Sequence, residues 1–356
     1  MAAARKETVV EGEEGLYHCI SRCVRRAFLC GPDPYTGKSF DHRKKWVLDR
    51  LEFLASVFAI DVCAYAIMSN HLHVVIRTRP DLAEGWSDEE TAGRWLALFP
   101  NKDQKGRPLP ASEKEIMDLA SGGEVGEKRI RLGGVSWFMR CLNESIARRA
   151  NREDGCKGRF WEGRLKCQVL LDDSAVLACL AYVDLNPIRA GMADSPETSL
   201  FTSAHARILT LQTRGKASAR GEKAGKPPSP PYRRLLDQVG GSYSDDWLCP
   251  FGRDGADSRR GILDISPRDY LTLIDWTGRQ AREKASGSIP DDLDPILDRL
   301  TIDKDNWLVL AENFGSMFHR AVGKVGSLRK AARKAGRRWL QGLGASRAVF
   351  STPPSM

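Results

Sequence analysis

Two of the six histidines stand two residues apart, as His71-Leu72-His73, inside a run that otherwise reads as a strand. On a strand, residues i and i+2 project from one face, so two imidazoles lie side by side while Leu72 packs into the opposite layer. That arrangement suits a divalent metal, whose other positions would go to water, a phosphate oxygen and one more protein ligand. The competing reading is two polar residues on an exposed strand face. The Ser69-Asn70 turn before the pair and the apolar strands around it weigh towards the metal. His18, next to Tyr17, is either a further ligand or a satisfied strand histidine, and a residue on the helix of Tyr182 is the better source. Tyr182 and Asn186 are four apart where a helix is ending, so phenol and amide share a face and can reach one site. The plainer alternative makes Tyr182 a core aromatic and Asn186 a helix cap before Pro187.

Several elements must position these residues. Segment 15–23 reads as a strand with Arg22, Arg25 and Arg26 crowding its exit, and Trp46, Val47, Leu51, Leu54 and Phe58 recur at helical spacing over 44–58. Residues 61–68 are nearly all apolar, as in a strand buried on both faces, and 71–77 returns from the Ser69-Asn70 turn as the second arm of a hairpin. Between about 78 and 134 the pattern loosens into two short helical candidates separated by the Pro100–Pro108 stretch, an insertion on the domain. A helix follows over 135–151, then a strand near 159–170, then a helix capped by Asp172-Asp173-Ser174 and ended by Asn186-Pro187. The Gly-, Pro-, Ser- and Lys-rich stretch around 212–231 is a linker, which we bound at 209–235. Helical patterns return over 267–284, 293–300, 306–318 and 326–342. The expected architecture is therefore α+β: a ferredoxin-like antiparallel sheet with helices on its faces over 1–208, and a mainly helical C-terminal domain over 236–356.

Composition sets the outer bounds. The chain has 356 residues, more than the ~100–200 typical of one domain. It is 42% hydrophobic and 28% charged, and no uninterrupted apolar run approaches the ~20 residues of a membrane span. The first residues lack the apolar segment of a secretory signal, so the expected location is the cytoplasm. Nine cysteines, odd in number and without a Cys-x-x-Cys pair, read as reduced thiols. A zinc site from Cys19, Cys23 and Cys30 would lack the second ligand pair such sites use. The net charge of +9 favours polyanionic partners. Arg164 and Lys166 alternate on one strand face, and Arg22, Arg25, Arg26, Arg148 and Arg149 fall in elements expected near the histidines, so these seven are candidate phosphate contacts, each with a solvated surface charge as its alternative. Trp161 and Phe160 are either stacking platforms for unpaired bases or core residues. The basic segment 324–340 is an auxiliary DNA-binding helix or a solvated face.

At this point the residues become recognisable. Ala64-Tyr-Ala-Ile-Met-Ser-Asn-His-Leu-His-Val-Val-Ile76 resembles the His-hydrophobic-His ("HUH") core of the single-tyrosine transposases, in particular the REP-associated and insertion-sequence transposases. Three further segments match in order: Tyr17-His-Cys-Ile-Ser-Arg-Cys-Val-Arg-Arg26 resembles the first strand and its basic exit, Gly158-Arg-Phe-Trp-Glu-Gly-Arg-Leu-Lys166 a Phe-Trp-Glu strand, and Ala181-Tyr-Val-Asp-Leu-Asn-Pro-Ile-Arg-Ala-Gly191 the tyrosine helix. The match spans about 15–208. It departs in the 78–134 insertion, in Leu165 where relatives carry an aromatic residue, and in the C-terminal extension. The resemblance implies that Tyr182 is the nucleophile, that His71, His73 and Asn186 hold Mg²⁺ or Mn²⁺, and that the activity is metal-dependent cleavage and rejoining of single-stranded or hairpin DNA through a 5'-phosphotyrosine, in DNA transposition or REP-element processing. A domesticated nucleic-acid-binding protein that no longer cleaves, and a replication-initiator or relaxase-like nickase, are the alternatives. Whether the chain acts alone or as a homodimer is open.

Overall fold

Alternation of apolar residues sets the sheet. In the computed structural model, which describes residues 10, 12–24, 29–33, 37–163, 165–219, 245–252, 260–283, 297, 302 and 304–350, strand β1 (Leu16–Arg22) lies at the centre, between β3 (His71–Thr78) and β4 (Lys166–Leu170). Strand β2 (Ile60–Ile67) pairs antiparallel with β3 through the short turn, as the hairpin pattern predicts, with one register irregularity between Val62 and Ala64. The full order is β2-β3-β1-β4-β5, where β5 (Ala321–Val322) joins β4 in parallel.

Two helices, α1 (His42–Val57) and α6 (Val135–Glu153), close the β1-α1-β2-β3-α6-β4 unit and pack on one face of the sheet. The strand order 4-1-3-2 within that unit is the ferredoxin-like arrangement, so the expected α+β class is the one observed. The α1 face that turns inward carries Val47, Leu51, Leu54 and Val57, all fully buried, and meets Phe138, Leu142 and Ile146 of α6 over Leu72, Val74 and Ile76 of β3. Of these, Val47, Leu51 and Leu54 are positions that helical spacing picks out in the sequence.

The insertion is more ordered than the two helices expected of it. It forms α2 (Pro80–Gly85), α3 (Asp88–Leu98), α4 (Glu113–Ala120) and α5 (Val125–Leu132). Ser87 caps α3 by accepting from Glu90 N, and Ser112 with Glu115 makes a reciprocal capping box on α4. Such caps satisfy backbone donors that a short helix could not otherwise leave unpaired. The strand expected near 159–170 is confined to β4, and residues 158–163 form a loop joined to β1 by a Cys23–Trp161 bridge.

On the other sheet face lies α7 (Asp173–Asp184), capped by Asp172, which accepts from Ala175 N. Ten of its twelve residues are buried; Asp173 and Tyr182 are the two that are not. A helix buried nearly all round needs cover on the side away from the sheet. That cover comes from α8 (Asn186–Arg189), α10 (Pro267–Glu283), α11 (Lys304–Met317) and α13 (Leu343–Phe350), whose Tyr270, Leu273, Trp307, Phe314 and Phe350 enter the same core as α7 and β2. The C-terminal segment thus shares a core with the N-terminal unit and also contributes β5 and α12 (Val325–Lys334). Helix α9 (Ser203–Ala219) runs through residues 209–219, which composition assigns to the linker; the remainder of that linker, 220–235, and all of the 293–300 helix except Leu297 lie outside the described residues. No helix among the described residues is long and apolar enough to cross a membrane.

Candidate active site

His71 and His73 do share a strand face, and their rings meet edge to face at 4.8 Å between centroids. Register places Arg22 opposite His71, Ile20 opposite His73, and His18 opposite both Val75 and Gln168. Because antiparallel partners project to the same side, His71, His73, Arg22, His18, Gln168 and Lys166 all belong to the face covered by α7.

A chain of hydrogen bonds fixes the protons on this face. Gln168 Nε2 donates to the carbonyl of Phe318 at 2.7 Å, so its Oε1 is the atom 2.8 Å from His18 Nδ1. An amide oxygen only accepts, so His18 Nδ1 carries a proton. His18 is completely buried, and that burial pulls its pKa down to about 4 against the opposing effect of the hydrogen bond it donates to Gln168, so the ring is neutral and its Nε2 accepts. The partner 2.8 Å away, His73 Nδ1, must then donate. What remains is His73 Nε2, buried and without any hydrogen-bond partner among the described residues. Burial first, then the charges of His18, His71 and Arg189, push His73 well below the ordinary imidazole range, which keeps that nitrogen a bare lone pair. His71 is arranged alike: Nδ1 lies 2.6 Å from Asn70 Oδ1, and burial reinforced by Arg22 lowers its pKa to about 4. Both imidazoles therefore present Nε2 lone pairs, the state a metal ligand needs, with Nδ1 held by a second group.

The phenol of Tyr182 stands edge-on to His73 and His18 at 5.6 and 6.0 Å between centroids. The Arg189 guanidinium lies 4.7 Å over its ring and Phe314 is tilted against it at 5.4 Å. Its hydroxyl reaches helix α11 where Gly315 leaves space: a Cβ built there would sit 2.4 Å from the hydroxyl oxygen. Asn186 Nδ2 donates to the Tyr182 carbonyl at 3.0 Å, capping α7, which leaves the amide oxygen uncommitted among the described residues.

No family model matches the chain, and no curated protein matches it. Among solved structures the chain is similar to a REP-associated tyrosine transposase bound to a REP hairpin, at 12% identity over 64% of this chain and 94% of that one, with a TM-score of 0.33. The likeness is distant.

The residues expected from sequence divide into three groups. His71, His73, Tyr182, Arg22 and Lys166 come to one sheet face, and Asn186 caps the helix that carries Tyr182. Arg148 and Arg149 do not join them: they project from the outer side of α6, in the layer on the opposite sheet face, where Arg149 lies 3.8 Å over Trp46 and Arg148 pairs with Glu144. Helical periodicity gave their exposure but not which sheet face α6 would cover. Arg25, Arg26 and Arg164 lie outside the described residues. Phe160 is core at 2% exposure, and Trp161 is pinned by donating from Nε1 to the Asn143 carbonyl. His18, one of the two sources considered for a third ligand, spends both nitrogens on Gln168 and His73, so it supports the pair rather than joining it. Cys19, Cys23 and Cys30 are buried beneath the sheet and form no disulfide among the described residues. Sequence reasoning missed Gln168 and Arg189. Gln168 was visible as the i+2 partner of Lys166, and Arg189 as the i+3 neighbour of Asn186.

The donor set can be tested against a divalent ion. Two imidazole Nε2 atoms with protons fixed elsewhere suit Mn²⁺ or Mg²⁺, and a buried nitrogen with no partner is costly unless something binds it. Among the described residues no three His, Cys, Asp or Glu side chains gather as a metal group, so the remaining ligands must be an amide, water or phosphate oxygen.

Proposed function

We propose that this chain cleaves and rejoins single-stranded DNA, with Tyr182 as nucleophile and His71, His73 and the amide oxygen of Asn186 as the protein ligands of Mg²⁺ or Mn²⁺, in DNA transposition or REP-element processing. The observation that carries this reading is the Nε2 of His73, without a hydrogen-bond partner among the described residues and buried beside Tyr182, one of the two residues of α7 that are not buried. The four ordered sequence motifs supply the DNA substrate.

In the proposed step a bond forms between Tyr182 Oη and phosphorus as the bond from phosphorus to the 3' oxygen breaks. The phenolic proton passes to solvent, and the departing oxygen takes up a proton as a 3'-hydroxyl. One phosphodiester replaces another, so a second 3'-hydroxyl can reverse the step without an external energy source. A bound divalent ion would supply neutralisation of the phosphate charge. The chain's own groups do the rest. Arg189 puts a cation beside the ring on which phenolate charge develops, and Arg22 and Lys166 line the rim where flanking phosphates would lie.

One observation favours a second reading. Phe314 and Gly315 of α11 cover the phenol, as would suit a nucleic-acid-binding protein that keeps the fold without cleaving. Incubating the protein with end-labelled single-stranded hairpin DNA and Mn²⁺ separates the two. Cleavage predicts a covalent adduct that Tyr182→Phe abolishes and that chelator prevents. No adduct with the unaltered protein, or one that persists in Tyr182→Phe, overturns the mechanism.

A further inference from the structure

We propose that a groove between α3 and α6, on the sheet face opposite the histidines, binds an unpaired polynucleotide strand; its identification as DNA rests on the function proposed above. The groove has a volume of ≈ 760 Å³. Six cations line it, Arg50, Lys102, Arg140, Arg148, Arg149 and Arg152, against one acid, Glu144. Glu144 is shared by Arg140, at 3.5 Å, and Arg148, while Lys102 and Arg152 have no acidic partner among the described residues. Cations gathered at this density repel one another and gain from a polyanion that displaces their counterions.

Charge alone would describe any basic surface. This one also carries a strip of rings: Phe99 lies 5.0 Å from Trp95, which lies 5.6 Å from Trp137. Phe99 is 49% exposed and belongs to no buried cluster among the described residues, so it is an apolar ring held in water among arginines. Flat rings interleaved with guanidinium groups match a strand whose bases are free to stack, whereas a duplex keeps its bases paired and an acidic peptide has none. Trp137 and Arg140 also line an adjoining cleft of ≈ 450 Å³ with Asn143, Gly163 and Leu165. Leu165 precedes Lys166, and Glu162 of the same loop lies 3.8 Å from Arg22, the residue in register with His71. A strand seated in the groove is therefore led around the end of the sheet towards the histidines.

The test uses the full chain with chelator present and follows fluorescence anisotropy of a labelled thymidine oligonucleotide. Phe99→Ala is expected to weaken binding roughly tenfold, the loss of one stacked base, while leaving the affinity for an abasic oligonucleotide of equal length unchanged. The double variant Arg148→Gln, Arg152→Gln is expected to weaken both and to flatten the salt dependence. All three side chains are exposed, and unchanged thermal midpoints will show that the fold is intact. Unaltered affinity in both variants, equal binding of abasic and thymidine strands, or tighter binding of a duplex overturns the inference. Tyr182→Phe should bind as the unaltered chain does. Groove-dependent binding here, with no covalent adduct when the unaltered chain is separately given hairpin DNA and Mn²⁺, would end the proposed cleavage and leave the groove, and an adduct there with binding unaffected in the groove variants would do the reverse.

Discussion

The proton on His73 decides what its ring can do, and that proton is set two residues away. Gln168 is oriented by the Phe318 carbonyl, His18 by Gln168, and His73 by His18, so a side chain that never approaches the metal position determines which nitrogen faces it. Replacing Gln168 with Leu removes the acceptor for His18 Nδ1 and frees His18 to exchange tautomers. In the alternative tautomer His18 Nε2 donates, His73 Nδ1 must accept, and the Nε2 lone pair is lost to protonation. Supporting groups of this kind are worth ~10–100-fold in metal affinity. Gln168→Leu should therefore weaken Mn²⁺ binding by about that factor in titration calorimetry. An unchanged Mn²⁺ affinity would mean that the relay positions nothing.

At the scale of elements, one contact lies at the site and a second ties the helix layer on the opposite sheet face. Gly315 lets α11 lie against the Tyr182 hydroxyl, and Gly315→Ala sets the gain of Ala over Gly in a helix, ~1 kcal/mol, against a Cβ 2.4 Å from that oxygen. The ring cannot shorten, so Tyr182 must rotate or α11 must retreat. We expect the covalent adduct to change in yield by tenfold or more while the melting temperature moves by only a few degrees; adduct formation at the unaltered rate would show that the contact plays no part. The second contact joins the start of α1 to the end of α6, where the fully buried Arg43 is bonded to Glu153 and Asp154. Burial alone would raise the Glu153 carboxyl, but hydrogen bonds from Arg43 and His42 outweigh it and hold the group below the ordinary carboxylate range. A carboxylate depressed in the folded state stabilises above its unfolded pKa, about 4.3, and loses that contribution as pH falls through the lower folded value. The difference in melting temperature between the unaltered protein and Glu153→Gln should thus be greatest near neutrality and shrink in acid; a gap that persists at low pH would rule this out. The hairpin around His71 and the helix of Tyr182 were legible because period and turn chemistry are local. The insertion was under-read because its helices are short, although Ser87 and Ser112 are cap residues that sequence shows plainly. Which face α6 covers was not legible, since Arg148 and Arg149 sit on the solvent side of either choice.

For the whole molecule, the composition break near 212–231 points to two units, yet the described residues on either side of it bury one another. Trp307, Leu310 and Phe314 close over Leu177, Ala178 and Ala181, and Tyr270 donates to the buried Asp184 at 2.6 Å, a carboxylate that Ser203 and Ala204 N also hold. No local pattern could have announced this, because β5 is two residues long and pairs Ala321 and Val322 with Val169 and Leu170, far apart in the chain. Exposing one fully buried aromatic or aliphatic side chain costs ~1.5–3 kcal/mol, and α7 would lose cover along its length if the C-terminal segment detached. Stability of that size withdrawn from one helix exceeds what a domain of ordinary marginal stability can lose. The two halves should therefore unfold together. Denaturant titration followed by tryptophan fluorescence and by far-ultraviolet circular dichroism is expected to give coincident single transitions, with Trp307 and Trp137 reporting from opposite halves of the chain. In single-tryptophan variants retaining one or the other, midpoints that separate would show two independent units, and the cover over α7 would then be a docking contact instead of a shared core.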